Sequence, residues 1–158
     1  MKTAVLYTTT YGTTAKCAEA LAEKIGQGSQ AISLKDTPNL DLSSFQALAL
    51  GGSIYVGKIQ PEMEKFTKAR SAEILGKPLV LFICAMQENE MENQLCNAFP
   101  EELRKHALKT AWVGGAYYLK KMGWLHRTMI KTIAKVAEEQ ETIQWEVIDQ
   151  LANLLKTK

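Results

Sequence analysis

The sequence predicts an α/β fold, a doubly wound five-stranded parallel sheet of order 2-1-3-4-5 with helices on both faces. Three observations predict it. Five short apolar runs rich in β-branched residues recur along the 158 residues: TAVLY (3–7), QAISL (30–34), QALALGG (46–52), KPLVLFICA (77–85) and TAWVGGA (110–116). Each is nearly continuous rather than alternating, the pattern of a strand buried on both faces. Helix-period segments fall between them, and right-handed crossovers then wind helices onto both sides of the sheet. In a sheet of this order ligands bind at the carboxyl ends of the strands, beside the switch between strands 1 and 3.

Strand 1 leads into YTTTYGTTAK (7–16), five threonines around one glycine. The helix that follows places Ala18, Leu21, Ala22 and Ile25 on one stripe, with Glu19, Glu23 and Lys24 outside it. Strand 3 runs into GGSIYVGK (51–58), at the same sheet edge as the threonine loop. Pro61 opens a second helix at its favoured first-turn position, with Met63, Phe66, Ala69 and Ile74 on one face. Segment 89–107 reads as helical with a break at Pro100. Strand 5 ends near Gly115, and 43 residues (116–158) remain, whereas a closing helix needs about 15. Residues 144–156 supply that helix, with Trp145, Ile148, Leu151, Ala152 and Leu155 in step. Without an internal repeat, a low-complexity stretch or a linker, the expectation is one domain over 1–158 with an elaboration at about 116–140.

Apolar residues at 46% and charged residues at 23% are a soluble globular composition, and no apolar run is long enough to span a bilayer. The start, MKTAVLYTTT, is too short for a signal-peptide core, so a cytoplasmic chain without a leader is expected. Cys17, Cys84 and Cys96 form no C-x-x-C and read as reduced thiols serving as small apolar residues. His106 and His126 fit no metal or triad spacing and read as surface or interface residues, so neither a metal site nor a catalytic protein nucleophile is expected. The net charge of +2 hides an uneven distribution. Five acidic and no basic residues lie between Gln87 and Glu102, then eight Lys/Arg and no acidic residue between Leu103 and Ala137. No recognition motif accompanies that charge, which argues against nucleic acid.

Five threonines exceed what a turn or a helix cap requires. A helix N-terminus offers free amides and a favourable dipole to a phosphate. Neither G-x-x-x-x-G-K-[ST] nor G-x-G-x-x-G occurs in the loop, which leaves a neutral cradle of hydroxyls and amides. Such a cradle suits one terminal phosphate monoester that stays bound.

The run Thr8-Thr9-Thr10-Tyr11-Gly12-Thr13-Thr14 resembles the FMN phosphate loop of flavodoxins, and the predicted sheet is flavodoxin-like. GGSIYVGKIQPEMEKF (51–66) and GGAYYLKKMGWLHRTMIKTIAK (114–135), with a downstream Trp145, resemble a narrower branch, the quinone-dependent protoporphyrinogen oxidases and their flavodoxin-domain relatives. The resemblance implies that Thr8, Thr9, Thr10, Tyr11, Gly12, Thr13 and Thr14 hold the FMN phosphate. It implies that Ser53, Ile54, Tyr55, Val56 and Gly57 border the isoalloxazine, with Tyr55 stacking on it and Gly57 offering a carbonyl to N5. A third loop, Ala85-Met86-Gln87-Glu88-Asn89, is expected to close over the ring. Two departures stand out. Flavodoxin carriers are usually strongly acidic, whereas this chain is slightly basic and Lys58, beside the ring site, would favour reduced anionic flavin. The connection 86–109 is shorter than in the oxidase branch and begins acidic.

In segment 124–137, Arg127, Lys131 and Lys135 fall opposite Leu125, Met129, Ile133 and Val136. Such a helix could pack on the sheet with a solvated cationic face, dock an acidic redox partner, or lie on an anionic membrane. The main expectation is an FMN-dependent oxidoreductase of the protoporphyrinogen-oxidase type, passing electrons from a reduced tetrapyrrole-like donor to a quinone. In that reading residues 120–135 make peripheral contact with an anionic bilayer at the inner face of the membrane. The alternatives are a flavodoxin-like soluble electron carrier serving a redox partner protein, and a flavin-binding docking module.

Overall fold

The computed structural model describes residues 1–37, 40–133 and 138–156. Strands β1 (Thr3–Thr8), β2 (Gln30–Ser33), β3 (Ala47–Ser53), β4 (Leu79–Cys84) and β5 (Lys109–Trp112) form one parallel sheet in the order β2-β1-β3-β4-β5. This is the predicted fold. Because side chains alternate across a strand, the apolar runs feed two cores. Val5, Ala49, Val80 and Phe82 meet helices α1 (Thr13–Ile25) and α7 (Trp145–Lys156). Leu6, Leu48, Leu50, Leu81 and Ile83 meet the other layer, made of α2 (Pro61–Ala69), α3 (Ser71–Leu75), α4 (Met91–Ala98) and α5 (Glu101–His106). All nine sheet residues are at most 1% exposed, and burying each large one contributes roughly 1.5–3 kcal/mol over leaving it in water.

The glycine pair of β3 serves both cores. A Cβ on Gly51 would stand 2.0 Å from the Phe82 ring, and one on Gly52 would stand 2.4 Å from Ile59. The strand gives up its own side chains so that a ring and a branched aliphatic can press against its backbone.

Three elements differ from expectation. The single helix from Pro61 is two, broken at Arg70, whose guanidinium pairs with Glu73 and donates to the Leu40 carbonyl at 3.2 Å. Between β2 and β3 no helix occurs among the described residues; the connection buries Leu34, Leu42 and Phe45 instead. Strand 5 stops at Trp112 rather than near Gly115, because Gly114 turns left-handed (φ +82°) with the Thr142 carbonyl packed where a side chain would be.

The surplus residues form an antiparallel pair, β6 (Ala116–Tyr117) with β7 (Gln140–Glu141), a 3-10 turn at Leu119–Lys121, and α6 (Trp124–Ile133). Glu141 clasps this segment to α1, taking Lys16 Nζ on both oxygens (2.9 and 2.8 Å) and the Tyr118 hydroxyl at 2.6 Å. Those partners hold the Glu141 carboxyl below the usual carboxylate range. Residues 134–137 of the predicted helix, with Lys135 and Val136, lie outside the described residues.

The expected two-faced pattern of α6 is altered. Arg127 donates to the Leu119 carbonyl at 2.8 Å and to that of Met122 at 3.3 Å, so its charge ties down the preceding turn. Leu125 is 63% exposed rather than packed. No helix among the described residues is long and apolar enough to cross a membrane.

Candidate functional site

The threonine loop joins β1 to α1 at the switch between β1 and β3. Gly12 takes the left-handed conformation (φ +94°) that this turn requires. Its amide is held by Thr9 Oγ1 at 2.9 Å, and the Lys16 amide returns to its carbonyl at 3.1 Å. The amides of Thr13, Thr14 and Ala15 precede that first helical bond, so helix geometry leaves them for another acceptor. The cradle is not the neutral one expected. Lys121, swung in by the 3-10 turn, is the nearest group to the Gly12 side-chain position, with Nζ 3.6 Å from a Cβ built there.

The loop after β3 is tied to the first by Gln60, the residue before Pro61. Its Oε1 accepts from Thr8 Oγ1 at 2.8 Å, while its Nε2 donates to Thr10 Oγ1 at 3.1 Å and to Ser53 Oγ. Beyond Ser53 the chain makes a tight turn, Tyr55 and Lys58 exchanging backbone bonds of 2.9 and 3.1 Å. Both central residues are left-handed, Val56 at φ +50° and Gly57 at φ +73°. Glycine tolerates this, but a β-branched valine with positive φ is a strained outlier. Val56 is also 76% exposed, so no burial offsets the strain.

Between these loops lies a cavity of about 350 Å³. Thr9, Thr10, Tyr11 and Thr13 line it from the first loop, and Ser53, Ile54, Tyr55, Val56 and Gly57 from the second. Ala85, Met86 and Gln87 line it from the third, where the Trp112 indole fixes the Ala85 carbonyl at 2.7 Å. Gly115 also lines it, packed so closely on the third loop that a Cβ there would meet the Ala85 backbone at 2.7 Å. Of the residues named from sequence, Thr8, Gly12, Thr14, Lys58, Glu88 and Asn89 do not reach the cavity wall. Thr8 is spent on Gln60. Thr14 is fully buried, and its hydroxyl makes no hydrogen bond among the described residues.

Four further sets of contributors were not read from the sequence. Gln94 of α4 lines the cavity at 8% exposure, and its Oε1 has no partner among the described residues. Met122, Met129 and Ile130 line it from the elaboration. His126, expected at the surface or an interface, is half-buried and stands over the site. Its Nδ1 meets the Tyr11 hydroxyl, and its ring lies 5.1 Å from that of Tyr55. Tyr55 is therefore paired with an imidazole. Lys121 is the fourth. The only available signal was helical spacing (His126, Met129 and Ile130 fall on one face), since the contacts themselves span up to 115 residues.

Among the described residues no group of His, Cys, Asp and Glu is placed to hold a metal ion. The donor set instead matches a phosphorylated aromatic ligand. Hydroxyls and helix-start amides sit beside a cation, with tyrosines, methionines and an orphaned buried amide oxygen around a volume in the usual ligand-pocket range.

A sequence profile described as a flavodoxin domain matches residues 4–144. No curated protein matches the sequence. Among solved structures, the chain is similar to a flavodoxin from the domain Archaea (TM-score 0.56, 17% identity, 99% of each chain covered). It is also similar to a WrbA-like flavodoxin from Agrobacterium tumefaciens (TM-score 0.58, 17% identity, 98% of this chain and 96% of the other). An oxidoreductase from Corynebacterium diphtheriae gives TM-score 0.60 at 12% identity, over 99% of this chain and 96% of the other. At such identities the likeness concerns the fold.

Proposed function

The chain belongs to the flavodoxin domain family, and from that premise we propose that its cavity holds FMN and that the protein carries electrons between redox partners. The observation that supports this best is the joining, at one sheet edge, of a hydroxyl-rich helix start to an aromatic-walled cavity. Thr9, Thr10, Thr13 and the free amides of α1 would hold the phosphate, with Lys121 as its counter-charge. Thr8 and Gly12 would act by shaping the loop. Tyr55, Met86 and the turn Val56–Gly57 would border the ring, and Gln94 Oε1 would accept from a ring N–H. The strained turn is suited to a change of peptide orientation at Gly57, whose side-chain position faces open space. FMN, when bound, supplies the one- and two-electron chemistry. The chain's own residues bind it, orient it and exclude water.

The test is reconstitution of the purified protein with FMN, followed by absorbance, quenching of flavin fluorescence and both one-electron potentials. Tight FMN binding with weaker riboflavin binding supports the reading. A protein that leaves FMN free in solution overturns it.

Oxidation of a reduced tetrapyrrole with a quinone acceptor ranks second, because residues 114–135 carry it and the connection after β4 does not. That connection is α4 and α5, with no basic insertion. Porphyrin fluorescence from protoporphyrinogen and menadione above the spontaneous rate would promote it. Contact with an anionic bilayer at the cytoplasmic face belongs to this second reading. It draws on the exposure of Trp124 (79%) and Leu125 (63%) beside Lys120 and Lys131. Equal liposome flotation of wild type and a Lys120→Glu/Lys131→Glu variant would end it.

A further inference from the structure

Cys17 of α1 and Cys84 of β4, 67 residues apart in sequence, meet inside the molecule with their sulfurs 3.8 Å apart. They are 1% and 2% exposed. Two features separate them from ordinary core packing. Cys84 is among the residues that line the cavity, so the cavity approaches the pair at that residue. The buried hydroxyl of Thr14, which has no hydrogen-bond partner among the described residues, lies close enough to favour the Cys84 thiolate. The remaining thiol, Cys96 on α4, is exposed.

We propose that Cys17 and Cys84 form a redox-active dithiol, which a peroxide entering the cavity converts to a disulfide beneath the functional site. The sulfurs need to close by about 1.8 Å to reach disulfide length. The Cys84 thiolate attacks one peroxide oxygen, the O–O bond breaks, and the second oxygen leaves as water after taking a proton. The Cys17 sulfur then displaces the sulfenic oxygen of Cys84, which leaves as a second water as the S–S bond forms. Two thiols and one peroxide give one disulfide and two waters; the sulfurs lose two electrons and the peroxide oxygens gain them. The hydrogen bond with Cys17, with burial second, raises the Cys84 thiol well above its ordinary range, and the Thr14 hydroxyl opposes that rise. Thiolate is therefore scarce, and the pair resists brief exposure. Once formed, the disulfide draws the cavity floor at Cys84 toward α1. The proposal does not depend on which ligand the cavity takes.

The experiment uses the full chain, wild type and Cys96→Ala, exposed to hydrogen peroxide, alkylated under denaturing conditions and mapped by peptide mass. The expected result in Cys96→Ala is loss of both alkylatable thiols, and in the wild type loss of Cys17 and Cys84 besides any loss at Cys96, with a peptide pair joined through Cys17 and Cys84 in each. In Cys17→Ala, Cys84 should instead gain oxygen atoms, having no thiol to resolve it. Full alkylation of Cys17 and Cys84, after exposure prolonged well past the point at which Cys96 is consumed in the wild type, would overturn the proposal. So would a disulfide that runs only through Cys96. The wild-type map alone decides the matter if a variant fails to fold.

Discussion

Replacing Lys121 with Met tests whether the threonine loop is a phosphate cradle with a cation beside it. The ammonium stands 3.6 Å from the Gly12 side-chain position, and its other contact is the Tyr118 ring at 4.9 Å. A phosphate monoester carries close to two negative charges at neutral pH. Held against the loop some 6 Å from an exposed ammonium, in a medium near the dielectric constant of water, it gains about 1 kcal/mol. That corresponds to roughly fivefold in FMN dissociation constant at low ionic strength. The gain should shrink toward nothing above ~0.5 M salt, where screening is shorter than the separation. The assay is quenching of flavin fluorescence, with FMN and riboflavin titrated in parallel into wild type, Lys121→Met and Lys121→Arg. FMN binding should weaken in Lys121→Met and recover in Lys121→Arg, while riboflavin binding stays unchanged in all three. Equal weakening of both flavins would refute the reasoning, since riboflavin has no phosphate for the cation to meet.

Gln94→Leu should weaken FMN and riboflavin alike, about 2- to 10-fold for one lost hydrogen bond; the urea midpoint should hold or rise, because an unsatisfied buried oxygen is removed. His126→Ala opens the three-ring cluster over the cavity; an edge contact worth about 0.5–1.5 kcal/mol predicts FMN release faster by roughly 2- to 10-fold in stopped-flow fluorescence. Glu141 has a folded-state pKa below its unfolded value, so its clasp contributes fully above the usual carboxylate range and is lost as pH falls through the lowered value. Amide protection in 116–121 and 140–142, measured relative to the intrinsic exchange rate at each pH, should therefore fall on acidification below the usual carboxylate range, and Glu141→Gln should remove most of that dependence. Gly114→Ala forces a left-handed alanine onto the Thr142 carbonyl and should cost at least about 2 kcal/mol in urea unfolding; Gly123→Ala, with nothing within 4 Å, should be nearly neutral.

The sheet was legible because doubly buried strands leave continuous apolar runs, and KPLVLFICA could hardly be anything else. The loops were legible because a chain that leaves β1 through five hydroxyls and one glycine advertises a helix start. What escaped shares one physical cause. Gln60 bonding Thr8, Thr10 and Ser53, His126 meeting Tyr11, and Cys84 touching Cys17 are contacts between residues separated by up to 115 positions. No local pattern encodes such a meeting; each is set by how the elements stack. The early end of strand 5 escaped for another reason. Gly114 and Gly115 read as small strand residues, and only the approach of Thr142 and Ala85 shows why bulk is forbidden there. The surplus after strand 5 was visible as a length, while its placement over the cavity was not.

The adjacent glycines of β3 bear on how this sequence can change over time. Gly51 and Gly52 face opposite layers, each pressed by a residue from elsewhere in the chain, Phe82 on one side and Ile59 on the other. Any larger residue at either place would need a prior truncation of its counterpart, and that intermediate would leave a void of phenyl or sec-butyl size, costing several kcal/mol. Neutral drift, free to rewrite most of the surface, meets a two-step barrier at this doublet from both directions at once.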